Sequence, residues 1–140
     1  MYQLLKNKLK DQRGLTLIEL LAVIVILGII AAIAVPAIGN LITNTENKAT
    51  VAEGIQIINA AKMYTAENNP PTGTTLKDAQ LGASLDNVKT TTYVVTVTLI
   101  SSGKYTYSLT AHPSVALVDK DASGDGKGAA SESELLTYKP

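Results

Sequence analysis

The chain has 140 residues, of which 12 are basic, 12 are acidic, one is histidine and none is cysteine. The absence of cysteine excludes a disulfide framework, a thiolate-bound metal and a cysteine nucleophile, and a single histidine excludes a histidine-rich metal centre. The zero net charge argues against a nucleic-acid-binding domain, which normally carries a basic excess.

The first 36 residues divide into a basic segment and a long apolar run. Residues 1–14 contain four basic side chains and one acidic side chain, whereas residues 15–35 contain one charge, Glu19. As a helix the run is about 31 Å long, which is enough to cross a bilayer core of about 30 Å. A domain of this size cannot bury a helix that is apolar on every side. We therefore predict a membrane-spanning helix with the basic segment in the cytoplasm and residues 37–140 outside.

A cleavable secretory signal is the alternative for the same segment. The basic start fits, and Ala32-Ile33-Ala34 has the A-x-A form of a signal-peptidase site. The run is longer, however, than the about 7–15 apolar residues of an ordinary signal, which also has no use for a carboxylate near its start. Cleavage by signal peptidase would leave Val35 as the first residue of the mature chain.

Glu19 is the residue of the apolar run that is costly to place in a membrane. An acid at the centre of a membrane helix costs about 2.5–3.5 kcal/mol on insertion scales, and less near the end of the helix, where Glu19 lies. Such an acid indicates a function and needs a cationic partner, and residues 15–35 contain no cation. The partner must therefore come from elsewhere, unless the carboxylate only reaches the membrane interface.

The residues Arg13-Gly14-Leu15-Thr16-Leu17-Ile18-Glu19 resemble the processing motif of type IV prepilins and their pseudopilin relatives, and the resemblance continues to Pro36. In that family a membrane peptidase cuts after the glycine and methylates the new N-terminus. The resemblance therefore implies cleavage between Gly14 and Leu15 and N-methylation of Leu15. Leu15 keeps this position apolar, although phenylalanine is the most common residue there in the family.

The resemblance also implies roles within the apolar helix. Cleavage would create an α-ammonium on Leu15, and Glu19 of one subunit could pair with the Leu15 ammonium of a neighbour in a low-dielectric bundle. Because this pair would set the axial stagger between helices, Glu19 is predicted to be an assembly-register residue. Gly28, Pro36 and Gly39 are predicted points of helix breakage, since proline removes a helical hydrogen bond and crowds the preceding turn. For Gly28, close helix packing in the membrane is the other interpretation.

Residues 37–68 are predicted to continue the same helix with one apolar stripe. The apolar side chains recur at three- and four-residue spacings, at Ile38, Leu41, Ile42, Ala49, Ala52, Ile55, Ile58 and Ala61. The run Asn68-Asn69-Pro70-Pro71 ends the helix. The stripe predicts that this half of the helix packs against a domain.

Residues 69–140 are predicted to form a small antiparallel sheet of three or four strands. Residues 72–87 are turn-rich, with a short helical turn around residues 76–81. The predicted strands cover residues 88–100, 105–111 and 115–118. The fold class is therefore α+β, with a long N-terminal helix packed on a sheet as in type IV pilins.

The sequence contains no recognisable enzyme motif, and we predict that the chain is not an enzyme. Patterns such as G-x-S-x-G, H-E-x-x-H and the P-loop are absent. His112 precedes Pro113 at the end of a predicted strand, and it is predicted to be a loop or edge residue. Tyr93, Tyr105 and Tyr107 are predicted to pack across strands or to lie on the surface, because no basic stripe accompanies them.

A polar segment near the C-terminus resembles a calcium-binding loop. The candidate oxygen ligands are Asp119, Asp121, Ser123 and Asp125, and Gly124 matches the glycine that permits the sharp turn. The match is incomplete, because the twelfth position is Ala130 where a bidentate glutamate is expected. The segment also looks like the acidic, glycine-rich loop that binds calcium in major pseudopilins of type II secretion. A solvated turn rich in Asp, Ser and Gly is the alternative, and the sequence leaves both open.

Three functional hypotheses follow from the sequence. The first is a structural pilin of an extracellular type IV pilus-like filament, which prepilin peptidase processes and an inner-membrane platform assembles. The second is a pseudopilin of a type II secretion or competence DNA-uptake system. The third is a membrane-anchored or secreted binding module, for which the apolar run is only an anchor or a signal.

The first hypothesis divides the chain into four parts. They are a cytoplasmic leader at 1–14, a transmembrane and assembly helix at 15–36, its amphipathic continuation at 37–68 and an extracellular sheet domain at 69–140. The subunit would contact membrane lipid before assembly and other copies of itself in a surface filament afterwards. No sequence-specific binding of nucleic acid is predicted.

Overall fold

A computed structural model describes residues 2–119 and 128–140, apart from the side chains of residues 5 and 8–13. The helices are α1 (Tyr2–Asn68), α2 (Asp78–Leu81), α3 (Pro113–Val118) and α4 (Glu132–Leu136), with a 3-10 turn at Gly82–Ser84. The strands are β1 (Thr74–Leu76), β2 (Val94–Leu99), β3 (Tyr105–Thr110) and β4 (Ala130–Ser131). The predicted α+β class, with a long N-terminal helix and a small antiparallel sheet, is confirmed.

The chain divides into two compact units, which meet in sequence between Thr43 and Asn44. The first unit is the N-terminal part of α1, and Pro36 lies inside this helix. Its apolar side chains are exposed, because this unit contains no second element against which they could pack.

The second unit begins with the C-terminal part of α1, which buries one stripe against the sheet. Ile58 and Ala61 are buried as the spacing predicted, whereas Ala52 is exposed. Val51 and Gly54 take the buried positions instead. The predicted end of the helix is confirmed, because α1 stops at Asn68 and the next residue has the left-handed backbone angle φ 43°.

The four strands form an antiparallel sheet in the order β1-β2-β3-β4. Val95 pairs with Leu109 at the centre, and both side chains are fully buried. Thr98 pairs with Thr106 on the opposite, exposed face. This alternation places the core between the sheet and α1, where it is completed by Ala130 of β4 and Leu135 of α4.

The strands of the structure differ from the predicted strands at three places. β2 begins at Val94 rather than at residue 88, and β1 lies in the segment predicted to be only turns and a helical turn. Residues 115–118 are helical, because Pro113 occupies the first turn of α3 and the His112 side chain caps its N-terminus.

The tyrosines also differ in burial. Tyr107 pairs with Val97 and is half-buried, as predicted for cross-strand packing, whereas Tyr93 is fully buried just before β2. Its hydroxyl donates to Asp78 Oδ1 at 3.2 Å. Burial, followed by the nearby Asp78 carboxylate, raises the pKa of Tyr93 to about 12, so the phenol stays neutral.

Candidate functional site

The apolar surface of α1 is the largest exposed feature of the first unit. Large apolar side chains between Leu15 and Ile42 each expose at least half of their area, from 52% at Val23 to 70% at Ile33. Among the described residues, α1 is the helix long and apolar enough to cross a membrane, and its most apolar window is entirely unburied. Exposed apolar surface of this extent normally marks contact with a membrane or with another protein.

The predicted processing and register residues lie together at the start of this surface. Gly14, Leu15 and Glu19 are all exposed and helical. Since residues four apart share a face of a helix, Glu19 lies on the same face as Leu15, one turn further along. A cleaved chain would therefore carry a cation and an anion close together at one end of an otherwise uncharged surface.

The predicted points of helix breakage lie within regular helix in the single chain. Gly28, Pro36 and Gly39 are all helical and exposed, and a Cβ at either glycine would meet no atom within 4 Å. The described residues therefore offer no close contact that would require a glycine there. A break on assembly stays a prediction.

The predicted calcium segment lies mostly outside the described residues. This applies to Asp121, Ser123 and Asp125, whereas Asp119 is described and caps the C-terminus of α3. The Asp119 carboxylate packs where a Cβ of Gly128 would stand, so a side chain at residue 128 would displace it. Among the described residues no group of three or more His, Cys, Asp or Glu side chains could hold a metal. Calcium binding stays a prediction, which calcium titration of the thermal unfolding midpoint can test.

His112 lies in the connection between β3 and α3, as predicted for a loop residue, but it is buried. Its side chain is fully buried, and the Ser114 N–H donates to His112 Nδ1 at 3.1 Å. On the other side of the ring, His112 Nε2 lies 3.7 Å from Glu53 Oε2 of α1. Burial lowers the pKa of the imidazole, and the Glu53 carboxylate opposes this shift. Because the imidazole itself is fully buried, it offers no access to a substrate.

Gly54 explains how the cluster comes so close to α1. A Cβ at Gly54 would lie 2.6 Å from Ser114 Oγ and 3.3 Å from Leu109 Cδ2, so a larger residue would push α3 and β3 away. The sequence analysis did not identify Gly54, Glu53 or Ser114. A glycine inside a helix lowers helix stability by about 1 kcal/mol relative to alanine. The presence of Gly54 in the helical pattern was therefore the sequence feature that could have indicated a closely packed neighbour.

A second group of polar contacts ties α1 to the C-terminal elements. Lys62 Nζ forms an ion pair with Glu132 and lies 6.0 Å from the centre of the Tyr107 ring. The hydroxyl groups of Thr65 and Tyr107 are 2.7 Å apart. These contacts orient α4 and β3 on the helix, and the partly exposed ion pair contributes little to stability.

Comparison with known proteins gives a family-model match and several matches to fimbrial proteins. Residues 9–35 match the family model described as the prokaryotic N-terminal methylation motif. A type IV major fimbrial protein FimA of Dichelobacter nodosus is 42% identical over 57 residues, which is 41% of this chain and 33% of the relative. A fimbrial protein of the same organism matches with the same identity and coverage. No solved structure matches.

These matches confirm the resemblance to type IV pilins. The matched segment spans only about a third of the length of the relatives. Those relatives are structural fimbrial subunits and not enzymes, in agreement with the prediction that this chain is not an enzyme.

Proposed function

We propose that a chain with this N-terminal methylation motif is the structural subunit of a type IV pilus-like filament. The observation that carries the proposal is the apolar surface of α1, which is exposed over its whole circumference and starts at the motif. Such a surface needs lipid before assembly and other copies of the helix after it. The fimbrial relatives support the same conclusion.

The first step of the proposed pathway is removal of residues 1–14. A prepilin peptidase would hydrolyse the Gly14–Leu15 bond on the cytoplasmic side and methylate the new amino group of Leu15. Gly14 suits this cleavage, because a residue without a Cβ leaves the peptide bond unhindered once the helix unwinds locally. Cleavage removes four basic side chains and one acidic side chain, so the mature chain is acidic.

The second step is packing of the mature helices into a filament. The Glu19 carboxylate of one subunit would pair with the Leu15 ammonium of its neighbour, and this pair would fix the axial stagger. In a bundle without water the attraction is far stronger than in solution, and an unpaired charge is correspondingly costly. Gly28, Pro36 and Gly39 would allow the helix to loosen locally as it packs.

The proposal also assigns a location and partners. Before assembly, the subunit would span the cytoplasmic membrane once, with residues 37–140 outside, because the basic leader stays in the cytoplasm. An inner-membrane assembly platform would then add it to a filament at the cell surface. The relatives are fimbrial proteins, and this favours the pilin over a pseudopilin of secretion or competence systems.

Mass spectrometry of the mature N-terminus tests the processing step. We expect the chain to begin with N-methyl-Leu15, and we expect Gly14→Val to leave the leader attached, because a β-branched residue would obstruct the peptidase. Gly39→Val, which introduces the same side chain at an exposed helical glycine outside the motif, is the matched control and should be cleaved normally.

Two other termini would contradict the proposal. An unprocessed Met1 would indicate a simple membrane anchor. A chain beginning at Val35 would indicate cleavage by signal peptidase and a secreted binding module.

A further inference from the structure

His112, the only histidine of the chain, lies at the junction between α1, β3 and α3. Its environment there favours the neutral imidazole. The His112 side chain is fully buried, and Ser114 and Leu109, which both pack against Gly54, are 0% exposed. Ala111, which precedes it, has a left-handed backbone angle of φ 58° and turns the chain from β3 into α3. His112 is therefore held on both sides, by the end of the sheet and by the start of a helix.

The hydrogen bonds at this junction determine where the imidazole proton lies. The Ser114 N–H donates to His112 Nδ1 at 3.1 Å, so Nδ1 carries the lone pair and the proton is on Nε2. Ser114 Oγ lies 2.8 Å from the same nitrogen. This arrangement caps the N-terminus of α3, and it requires a neutral ring.

The groups that face His112 come from three elements. Glu53 of α1 is the charged one, with Oε2 at 3.7 Å from Nε2, and its side chain is 20% exposed. Ser114 belongs to α3, and the β3 residue next to this site is the apolar Leu109, which packs with Ser114 against Gly54. Among the described residues the Nε2 atom has no hydrogen-bond partner, so Glu53 compensates a charge on the ring only from beyond hydrogen-bond distance.

We propose that His112, Ser114 and Glu53 form an acid-sensitive latch, which fixes α3 to α1 while the imidazole is neutral and releases α3 when the imidazole is protonated. The added proton would occupy Nδ1, which would then donate to Ser114 Oγ and could no longer accept from the Ser114 N–H. The cap of α3 would be lost, and a cation would be left in a buried site. The close contact between α1 and α3 at Gly54 leaves no space for water. The two helices must therefore separate before this cation can be hydrated.

The direction of the pH effect follows from burial. Since burial lowers the pKa of His112 in the folded chain, the unfolded chain binds this proton more readily. The contribution of His112 to stability is therefore complete above its ordinary pKa of about 6.5 and is lost as the pH falls below that value. Each pH unit below about 6.5 can raise the unfolding equilibrium constant up to tenfold, until the pKa of the folded state is reached.

The test compares unfolding of the full chain in detergent between pH 7.5 and pH 5.0. The wild-type chain is compared with His112→Asn, which keeps a side chain able to cap α3 but cannot be protonated. We expect the unfolding equilibrium constant of the wild type to rise about tenfold more than that of His112→Asn over this range. Other carboxylates titrate in both proteins and cancel in the comparison. Parallel pH profiles would overturn the proposal.

Glu53→Gln provides a second variant. Removing the compensating carboxylate should increase the acid sensitivity, so the pH profile should become steeper than in the wild type. An unchanged or shallower profile would contradict the assigned role of Glu53.

A spectroscopic titration keeps the test independent of whether a variant folds. Because the chain has one histidine, the Cε1–H signal of its imidazole is unambiguous, and we expect this resonance to titrate below about pH 6.5. Protection of the α3 amides against hydrogen exchange should fall over the same pH range. A resonance that titrates at or above about 6.5, or α3 amides whose protection is insensitive to that titration, would overturn the latch.

Discussion

Replacement of Glu19 by alanine is expected to abolish filament assembly while leaving membrane insertion and cleavage after Gly14 intact. Insertion should persist because the apolar run becomes more apolar, and cleavage should persist because the motif glycine is unchanged. Assembly should fail because the Leu15 ammonium of the neighbouring subunit would be left unpaired in a bundle without water. We expect at least a tenfold loss of sheared filament, the change that a difference of about 1.4 kcal/mol per subunit would cause.

Glu46→Ala is the matched control for this experiment. Glu46 is another exposed glutamate of α1, but it lies outside the apolar run, so its removal should leave assembly unchanged. Glu19→Asp should assemble partially, since it keeps the charge on a shorter side chain. Normal filaments from Glu19→Ala would contradict the register role.

Leu135→Ala is expected to destabilise the second unit by about 2–5 kcal/mol, the range measured when a large buried side chain is truncated. Leu135 is 1% exposed and belongs to the core that joins α1, the sheet and α4. A domain of this size is stable by only about 5–15 kcal/mol, so this loss is a large fraction of the total.

Leu136→Ala is a closely matched control. Leu136 is the next residue of the same helix and is 61% exposed, so the same truncation should change stability by only about 0.5 kcal/mol. The measurement is urea unfolding of the full chain in detergent, followed by near-ultraviolet dichroism of tyrosine, since the chain lacks tryptophan and phenylalanine. Equal midpoints for the two variants would mean that α4 does not close the core.

Much of the fold could be predicted from local patterns in the sequence. The apolar run after Gly14, in which Glu19 is the one charged residue, is best accommodated as a helix outside any soluble core. The central strands β2 and β3 are rich in β-branched residues and tyrosine around a turn at Gly103, whose φ of 76° suits a glycine. These signals depend on neighbouring residues, so one sequence is sufficient to detect them.

The elements that were missed depend on tertiary contacts. β1 has three residues and β4 has two, and each is a strand because it pairs with an existing sheet edge. α3 was predicted as a strand from its apolar residues, yet the pattern His112-Pro113 begins a helix, because histidine caps it and proline suits its first turn.

The same distinction applies to the candidate site. Gly14, Leu15 and Glu19 were identified because the motif is contiguous. Glu53 and His112 are far apart in the sequence, and they come within 3.7 Å of each other where Gly54 lets α3 approach α1. A contact between residues so distant in the chain produces no repeating pattern that a single sequence could reveal.

The order of the strands has a consequence for the nascent chain. Each strand after β1 pairs with the strand synthesised just before it, so pairing can follow synthesis. Two residues that complete the core, Ala130 and Leu135, are synthesised after the central strands. Glu132, the ion-pair partner of Lys62, follows it by 70 residues. Until Leu135 has been synthesised, the inner face of the sheet stays incompletely covered. The interval before Ala130 and Leu135 emerge is therefore when this domain is most vulnerable to proteases and to mispairing with other emerging copies.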